Sequence, residues 1–269
     1  MAISKKLEII YHNGQPDGIR SIRRHLSTMT TYVIPRPLLS EAKKLTGINR
    51  PGIYYLISET DDNKIAQIYI GQTRNGVVRL DDHNRSKNFW NKAIMFLADN
   101  KTFSLDMISG LEKFAIMKAQ ESKRYKVENS VVPKYEIDEY DLVAVEEVYD
   151  EIQFIMATQG YKMDDAKRTI NEERILHTSR NGIAACGMYD GEKFEVLDGS
   201  EINMDKPAHL LSYNRLRDEL LSKQSIVKAG EKYILNVTLD FNTPSGASNF
   251  VLGGSTNGWI EWKDRDGKT

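Results

Sequence analysis

The chain has 269 residues, a formal net charge of −1 and one cysteine. That length suggests one or two domains with ample buried core, and near-neutrality withholds the bulk signature of a nucleic-acid binder. The lone cysteine, Cys186, excludes an internal disulfide framework and a multi-cysteine zinc site.

Residues 1–50 carry nine Lys/Arg against three Asp/Glu. Leu7-Glu8-Ile9-Ile10-Tyr11 reads as a strand, followed by turns at Asn13-Gly14 and Asp17-Gly18. Ile19 to Leu26 carries Arg20, Arg23, Arg24 and His25, a cluster that fits phosphate contact and a solvated face equally well. Thr31-Tyr32-Val33-Ile34 reads as a further strand stopped by Pro35, and Ser40 to Leu45 as a helix with Ser40 as its N-cap.

The chain is organised around the next stretch. Gly52-Ile53-Tyr54-Tyr55-Leu56-Ile57 and Ile65-Ala66-Gln67-Ile68-Tyr69-Ile70-Gly71 flank a polar run containing Asp61-Asp62-Asn63, the pattern of a β-hairpin with a long turn. Strand alternation puts Ile53, Tyr55 and Ile57 on one face and Tyr54 on the other with Leu56. Ile68 and Ile70 likewise lie opposite Tyr69, so burying the isoleucines turns Tyr54 and Tyr69 towards a common surface. Gly52 and Gly71 have no side chains, which predicts close approach of a ligand backbone there.

Arg79 and His83 come next at helical spacing, on one face. Phe89 and Trp90 read as core, and Ala93 to Leu97 as a third strand. Residues 51–130 are mildly basic, with twelve Lys/Arg against ten Asp/Glu. At the helical period, Leu105, Ile108, Leu111, Ala115, Ile116 and Ala119 form one apolar arc, with Ser109, Gly110, Lys113 and Gln120 opposite. Glu112 falls inside the apolar arc, where a carboxylate is costly unless it is paired or binds a cation. Two tyrosines, an arginine, a histidine and an inward glutamate are what a one-metal phosphodiesterase needs.

Residues 131–175 are acidic, with five Lys/Arg against twelve Asp/Glu. Asp138 to Gly160 reads as a long helix with Leu142, Val145, Ile152, Ile155 and Met156 on its apolar stripe. The charged, poorly periodic segment 164–173 marks a boundary. Beyond it, Cys186 in Ala184-Ala185-Cys186-Gly187 reads as a small core residue. Phe194 to Leu197 reads as a strand, Tyr213 to Ser222 as a helix and Tyr233 to Phe241 as one alternating strand. Thr243-Pro244 reads as an N-cap with proline at the first helical position, opening a helix to Leu252. Trp259 and Trp262 read as core before base-stacking groups. The fold class expected is α/β (α+β): a small, mainly antiparallel sheet with flanking helices, then a second small α+β domain. The expected division is a basic leader at 1–50, a catalytic domain at 51–135, an acidic helix and linker at 136–175, and a C-terminal domain at 176–269.

The hairpin and the helices after it resemble the GIY-YIG nuclease family. The name-giving motifs stand as Gly52-Ile53-Tyr54 and Tyr69-Ile70-Gly71, the family's arginine matches Arg79, and the residue one turn later matches His83. Its metal-binding glutamate matches Glu112, and its later asparagine matches Asn129. Val196 to Ser200, Pro244-Ser245-Gly246-Ala247 and Val251 to Lys263 resemble a C-terminal domain of unknown function often attached to such nucleases. The resemblance implies the GIY-YIG fold and a divalent-metal endonuclease, with Tyr54 or His83 activating water, Tyr69 assisting, Arg79 neutralising phosphate charge and Glu112 holding Mg²⁺ or Mn²⁺. Asn129 is expected to orient site groups. Nucleic acid, with DNA favoured, is the expected partner, and Gly52, Gly71, Arg20, Arg23, Arg24 and Arg85 are its expected contacts. The alternative is a nuclease-derived nucleic-acid-binding or protein-interaction module that does not cut. No run reaches a membrane span and no signal pattern opens the chain, so a cytoplasmic, reducing compartment without membrane contact is expected.

Overall fold

The computed structural model describes residues 4–58, 65–99, 101, 103–163, 175–189 and 193–268. The Asp61-Asp62-Asn63 turn and the 164–173 boundary lie outside the described residues. The chain forms two compact units, one of residues 1–59, 66–121 and 125–163, the other of residues 60–65, 122–124 and 164–269. Among the described residues, no helix is long and apolar enough to cross a membrane.

The first unit is built on a seven-stranded sheet ordered β1-β2-β3-β6-β4-β5-β7. Its strands are β1 (Leu7–Tyr11), β2 (Arg20–Arg24), β3 (Thr30–Pro35), β4 (Gly52–Ile57), β5 (Gln67–Thr73), β6 (Lys92–Leu97) and the two-residue β7 (Lys126–Val127). Among the described residues, only the β5–β7 pairing of this sheet is parallel. The first fifty residues are therefore part of this sheet. β4 is buried at every position, as a central strand covered on both faces must be. One face carries Val33, Ile53, Tyr55, Ile57, Ile68, Ile70, Ile94 and Phe96, packed with apolar residues of helices α3 (Leu105–Ser122) and α4 (Glu139–Thr158). The other carries Tyr32, Ile34, Tyr54, Leu56, Met95 and Leu97 beneath Leu39 and Ala42 of α1 (Leu39–Ala42), Leu80 of α2 (Arg79–Ser86), and Trp90.

Two helices differ from the sequence reading. α1 is preceded by a 3₁₀ turn at Arg36–Leu38, and Ser40 lies inside it without capping it. In α3, Leu105 is exposed, while Gly110, assigned to the polar side, is buried against Val145, Ile137 and Tyr135. α3 is sandwiched between the sheet on one side and α4 with its preceding segment on the other, so a single apolar arc under-describes it. α4 agrees with the sequence reading: Asp138 is its N-cap, and the carboxylate accepts from the Tyr140 and Asp141 amides.

The second unit has a four-stranded antiparallel sheet, β13-β10-β9-β8, and a separate β11–β12 hairpin. The strands are β8 (Leu176–Arg180), β9 (Ile183–Tyr189), β10 (Phe194–Val196), β11 (Ile226–Ala229), β12 (Lys232–Leu235) and β13 (Leu239–Phe241). The expected single strand over 233–241 is thus two strands in different sheets. The chain breaks at Asn236, whose amide donates to the Ser225 carbonyl. α5 (Leu211–Ser222) buries Leu216 and Leu220. α6 (Pro244–Leu252) opens with the Thr243 hydroxyl accepting from the Gly246 amide, and closes at Gly253 in the left-handed conformation. The two tryptophans near α7 (Gly258–Glu261) part company: Trp262 is core and donates to the Pro244 carbonyl, whereas Trp259 is exposed beside Tyr189. Cys186 is only half-buried, its sulfur 3.3 Å from His177 Nδ1 across the β8–β9 pair. It is not the core residue its small neighbours suggest.

Candidate active site at the edge of strand β5

The site forms where β5 runs out of strand partners. β7 pairs with Gln67 and Ile68, and among the described residues the outer edge of β5 beyond Ile68 has no neighbouring strand. Backbone groups of alternate residues face that edge, and side chains satisfy them. The Asn129 amide accepts from the Ile70 N–H at 2.9 Å and donates to the Ile70 carbonyl at 2.7 Å. Next along, Glu112 Oε1 accepts from the Gln72 N–H at 3.2 Å. Two residues singled out in the sequence, Asn129 and Glu112, therefore finish the sheet.

The two glycines place the tyrosines. Gly71 is directly opposite Tyr54, and a methyl group there would lie 2.4 Å from the Tyr54 hydroxyl. The absent side chain is what lets the Tyr54 phenol lie across β5. At Gly52 a methyl would lie 1.9 Å from the Phe96 carbonyl oxygen. At both glycines the space that a side chain would take is filled by the protein's own groups.

Tyr54 reaches across Gly71 to α2. Its hydroxyl lies 2.6 Å from His83 Nε2, and both side chains are buried. Tyr69 completes an aromatic cluster, its ring centroid 6.3 Å from that of Tyr54 and 5.0 Å from that of His83. Burial pushes His83 down to about 4, aided by Arg79 and Lys87, with Asp82 acting weakly against it. His83 is therefore neutral near pH 7 and able to accept a proton from Tyr54. Burial, and then the neighbouring Tyr69, raise Tyr54 well above an ordinary phenol, while Arg79 draws it back. Tyr69 is raised by burial and by Glu112. The site wraps round the sheet edge: Glu112 comes from α3, on the Ile68–Ile70 face, and the phenols lie on the α2 face.

Arg79 lies one turn before His83 and is half-exposed, paired with Asp82 at 3.0 Å. Arg85 shares the same carboxylate at 2.8 Å. Glu112 is buried, which raises its carboxyl; the Gln72 side chain and backbone, and then Arg79, oppose the rise. Among the described residues, no group of three or more His, Cys, Asp or Glu could hold a metal ion. Of the described residues, Glu112 stands alone at the strand edge as an inward carboxylate. A carboxylate has roughly four lone-pair sites, and Gln72 occupies one on each oxygen. Each oxygen therefore keeps a lone-pair site that Gln72 does not take.

The other residues expected at the nucleic acid are not gathered here. Arg20 and Arg24 share the Ile22 face of β2, on the α3–α4 side of the sheet, and Arg24 is paired with Glu151 of α4 at 2.8 Å. Arg23 faces the other way and donates to Thr30 Oγ1 at 3.1 Å. Three strands separate β2 from β5. Two residues at the site were not anticipated. Gln72 binds Glu112. Lys87, at the end of α2, holds its ammonium 4.2 Å above the Tyr69 ring. Each had a signal in the sequence: Gln72 shares the inward face of Ile68 and Ile70, and Lys87 extends the Arg79–His83 spacing by one more turn.

Comparison with known families is specific at this site. Residues 50–136 match the GIY-YIG catalytic domain, and residues 176–269 match a Domain of unknown function (DUF4357). Neither curated proteins nor solved structures yield a match. The first match is to a nuclease domain, whose reaction is phosphodiester hydrolysis on nucleic acid and which generally depends on a divalent metal.

Proposed function

We propose that this chain, which carries a GIY-YIG catalytic domain followed by a DUF4357 domain, is a divalent-metal-dependent endonuclease acting on DNA. The observation that carries this reading is the 2.6 Å contact between Tyr54 and a neutral, buried His83, at the strand edge that Glu112 reaches from the opposite face. A phenol in contact with a free imidazole nitrogen is a proton-accepting unit. As water attacks phosphorus, its proton passes to the Tyr54 oxygen while the Tyr54 proton passes to His83 Nε2. The result is an imidazolium and no free phenolate, in keeping with the raised pKa of Tyr54, which burial makes a weaker acid. This joins the two base candidates into one relay.

Arg79 neutralises the non-bridging oxygens as charge builds in the transition state. Its partner Asp82 is already shared with Arg85, so both guanidiniums keep donors for phosphate. Tyr69 orients the attacking water beside Tyr54. Glu112 would hold the divalent ion, which when bound polarises the phosphate and stabilises the leaving oxygen. Asn129 acts at one remove: by gripping Ile70 it fixes Tyr69 and Gly71 on either side. Magnesium or manganese suits the single carboxylate.

The test is incubation of purified protein with supercoiled plasmid and labelled single-stranded, duplex and branched DNA and RNA, with and without Mg²⁺ or Mn²⁺. Metal-dependent cleavage that is lost in Glu112→Ala and Tyr54→Phe is the expected result. Absence of cleavage on every substrate, with binding retained, would replace the catalytic reading by a non-cutting binding module.

A further inference from the structure

We propose that Gln72 is a positioning residue that clamps the Glu112 carboxylate and sets the affinity of the site for its divalent ion. The inference rests on the metal-dependent nuclease reading and extends it to a residue outside the motifs. Gln72 touches Glu112 twice. Its backbone N–H donates to Oε1 at 3.2 Å, and its side-chain Nε2 donates to Oε2 at 2.9 Å. The two bonds engage different oxygens of one carboxylate, so together they fix its rotation as well as its position.

The amide orientation is itself determined. Ser109 Oγ, one turn before Glu112 on α3, donates to Gln72 Oε1 at 3.3 Å. With the amide oxygen held by a hydroxyl donor, the NH₂ group must face the carboxylate. A ring of three residues results: Ser109 and Glu112 from α3, with Gln72 from β5 between them. Partners of this kind orient a metal-binding carboxylate, and their removal typically weakens metal affinity about 10- to 100-fold. The placement has a physical reason. Glu112 reaches the end of an unpaired strand edge, where the Gln72 N–H needs an acceptor. The same carboxylate must keep lone pairs for a cation, and two donors from a single residue leave it half free.

The experiment measures Mn²⁺ binding to the intact protein by electron paramagnetic resonance, without substrate. The variants are Gln72→Met, which keeps volume and the backbone donor but removes the side-chain donor, Ser109→Ala, and Glu112→Ala. Gln72→Met is expected to weaken Mn²⁺ binding about 10- to 100-fold. Ser109→Ala, which frees the amide to turn, is expected to weaken it by a smaller factor. The activity-against-metal curve of each should move by the same factor, with activity recovered at saturating metal. Loss of Mn²⁺ binding in Glu112→Ala alone, with Gln72→Met and Ser109→Ala folded and within twofold of the unsubstituted protein, would overturn the clamp and leave the nuclease reading standing. Mn²⁺ binding unchanged in Glu112→Ala would overturn both. If Gln72→Met fails to fold, Ser109→Ala decides, since an unchanged affinity there means that the oriented amide does not set the affinity.

Discussion

Tyr54 and His83 are separated by 29 positions in the chain and by 2.6 Å in the fold. Removing either member of a proton relay should cost most of what the pair supplies, and removing both should cost little more. Tyr54→Phe and His83→Ala are each expected to lower the single-turnover rate about 10²- to 10⁴-fold. The double variant should lie within a few-fold of the slower single. Multiplied defects in the double variant would mean that the residues act separately and that the relay is wrong.

The same pair makes a pH prediction. The unfolded chain protonates its histidine near 6.5, whereas folded His83 takes a proton only near 4. Between these values the unfolded state binds more protons, so His83 makes stability fall as pH falls. The effect is absent above about 6.5 and complete below about 4. His83→Gln, which keeps a polar group but cannot titrate, should lose less melting temperature between pH 7 and pH 5 than the unsubstituted protein. Equal losses would mean that His83 protonates normally. Cleavage should show no acidic limb near 6.5.

Much of this arrangement is legible in the sequence, and its limits have a physical pattern. Period-two alternation separates Tyr54 from Tyr55, and a helical wheel places Glu112 inward, because both signals are local. What depends on partners distant in the chain is not legible. The groups filling the space over Gly52 and Gly71 come from Phe96 and Tyr54, neither identifiable from a glycine. The sequence offers Arg20 and Arg24 as phosphate contacts, and only the fold shows that Arg24 pairs with Glu151 of α4. Asn236 interrupts an otherwise regular alternation, and its amide donates to the distant Ser225 carbonyl. Gln72 escapes notice because a glutamine beside a motif looks like solvated polarity, although its parity places it with Ile68 and Ile70.

The two motif glycines should respond differently to alanine. At Gly71 the added methyl meets a tyrosine side chain at 2.4 Å, which can shift. At Gly52 it meets backbone oxygen at 1.9 Å in a central strand, which cannot. Gly71→Ala is expected to cost about 1–3 kcal/mol, the usual range for overpacking, and to abolish cleavage by displacing the Tyr54 hydroxyl. Gly52→Ala should exceed that range and reduce the yield of folded protein. Urea unfolding and cleavage assays on both would check the order. A fully active Gly71→Ala would contradict the placement of Tyr54 over β5.

Asn129 tests whether the sheet edge positions the site. Asn129→Ala leaves both polar groups of Ile70 without their partner, at about 1–3 kcal/mol for each that stays unsatisfied. Water at the exposed edge should bring the total towards the lower end. Activity should fall with stability, because Tyr69 and Gly71 flank the released residue. Asn129→Asp keeps the acceptor for the Ile70 N–H but sets a carboxylate against the Ile70 carbonyl, so it should rescue little. Loss of cleavage with unchanged unfolding in Asn129→Ala would instead mean direct contact with substrate.

Lys87 makes the final prediction. Asp81 is engaged by Lys43, and Asp82 is shared by Arg79 and Arg85. The Lys87 ammonium lies over the Tyr69 ring, a contact that leaves its hydrogens available to an anion. An ammonium held there suits a phosphate beside the one being cut. Lys87→Ala should therefore raise KM while leaving kcat within a few-fold. It should also reduce the slope of log affinity against log salt by about 0.9 on duplex DNA, the value for one phosphate contact. A fall in kcat at constant KM would place Lys87 with Arg79 at the reacting phosphate. An unchanged salt slope would confine it to packing against Tyr69.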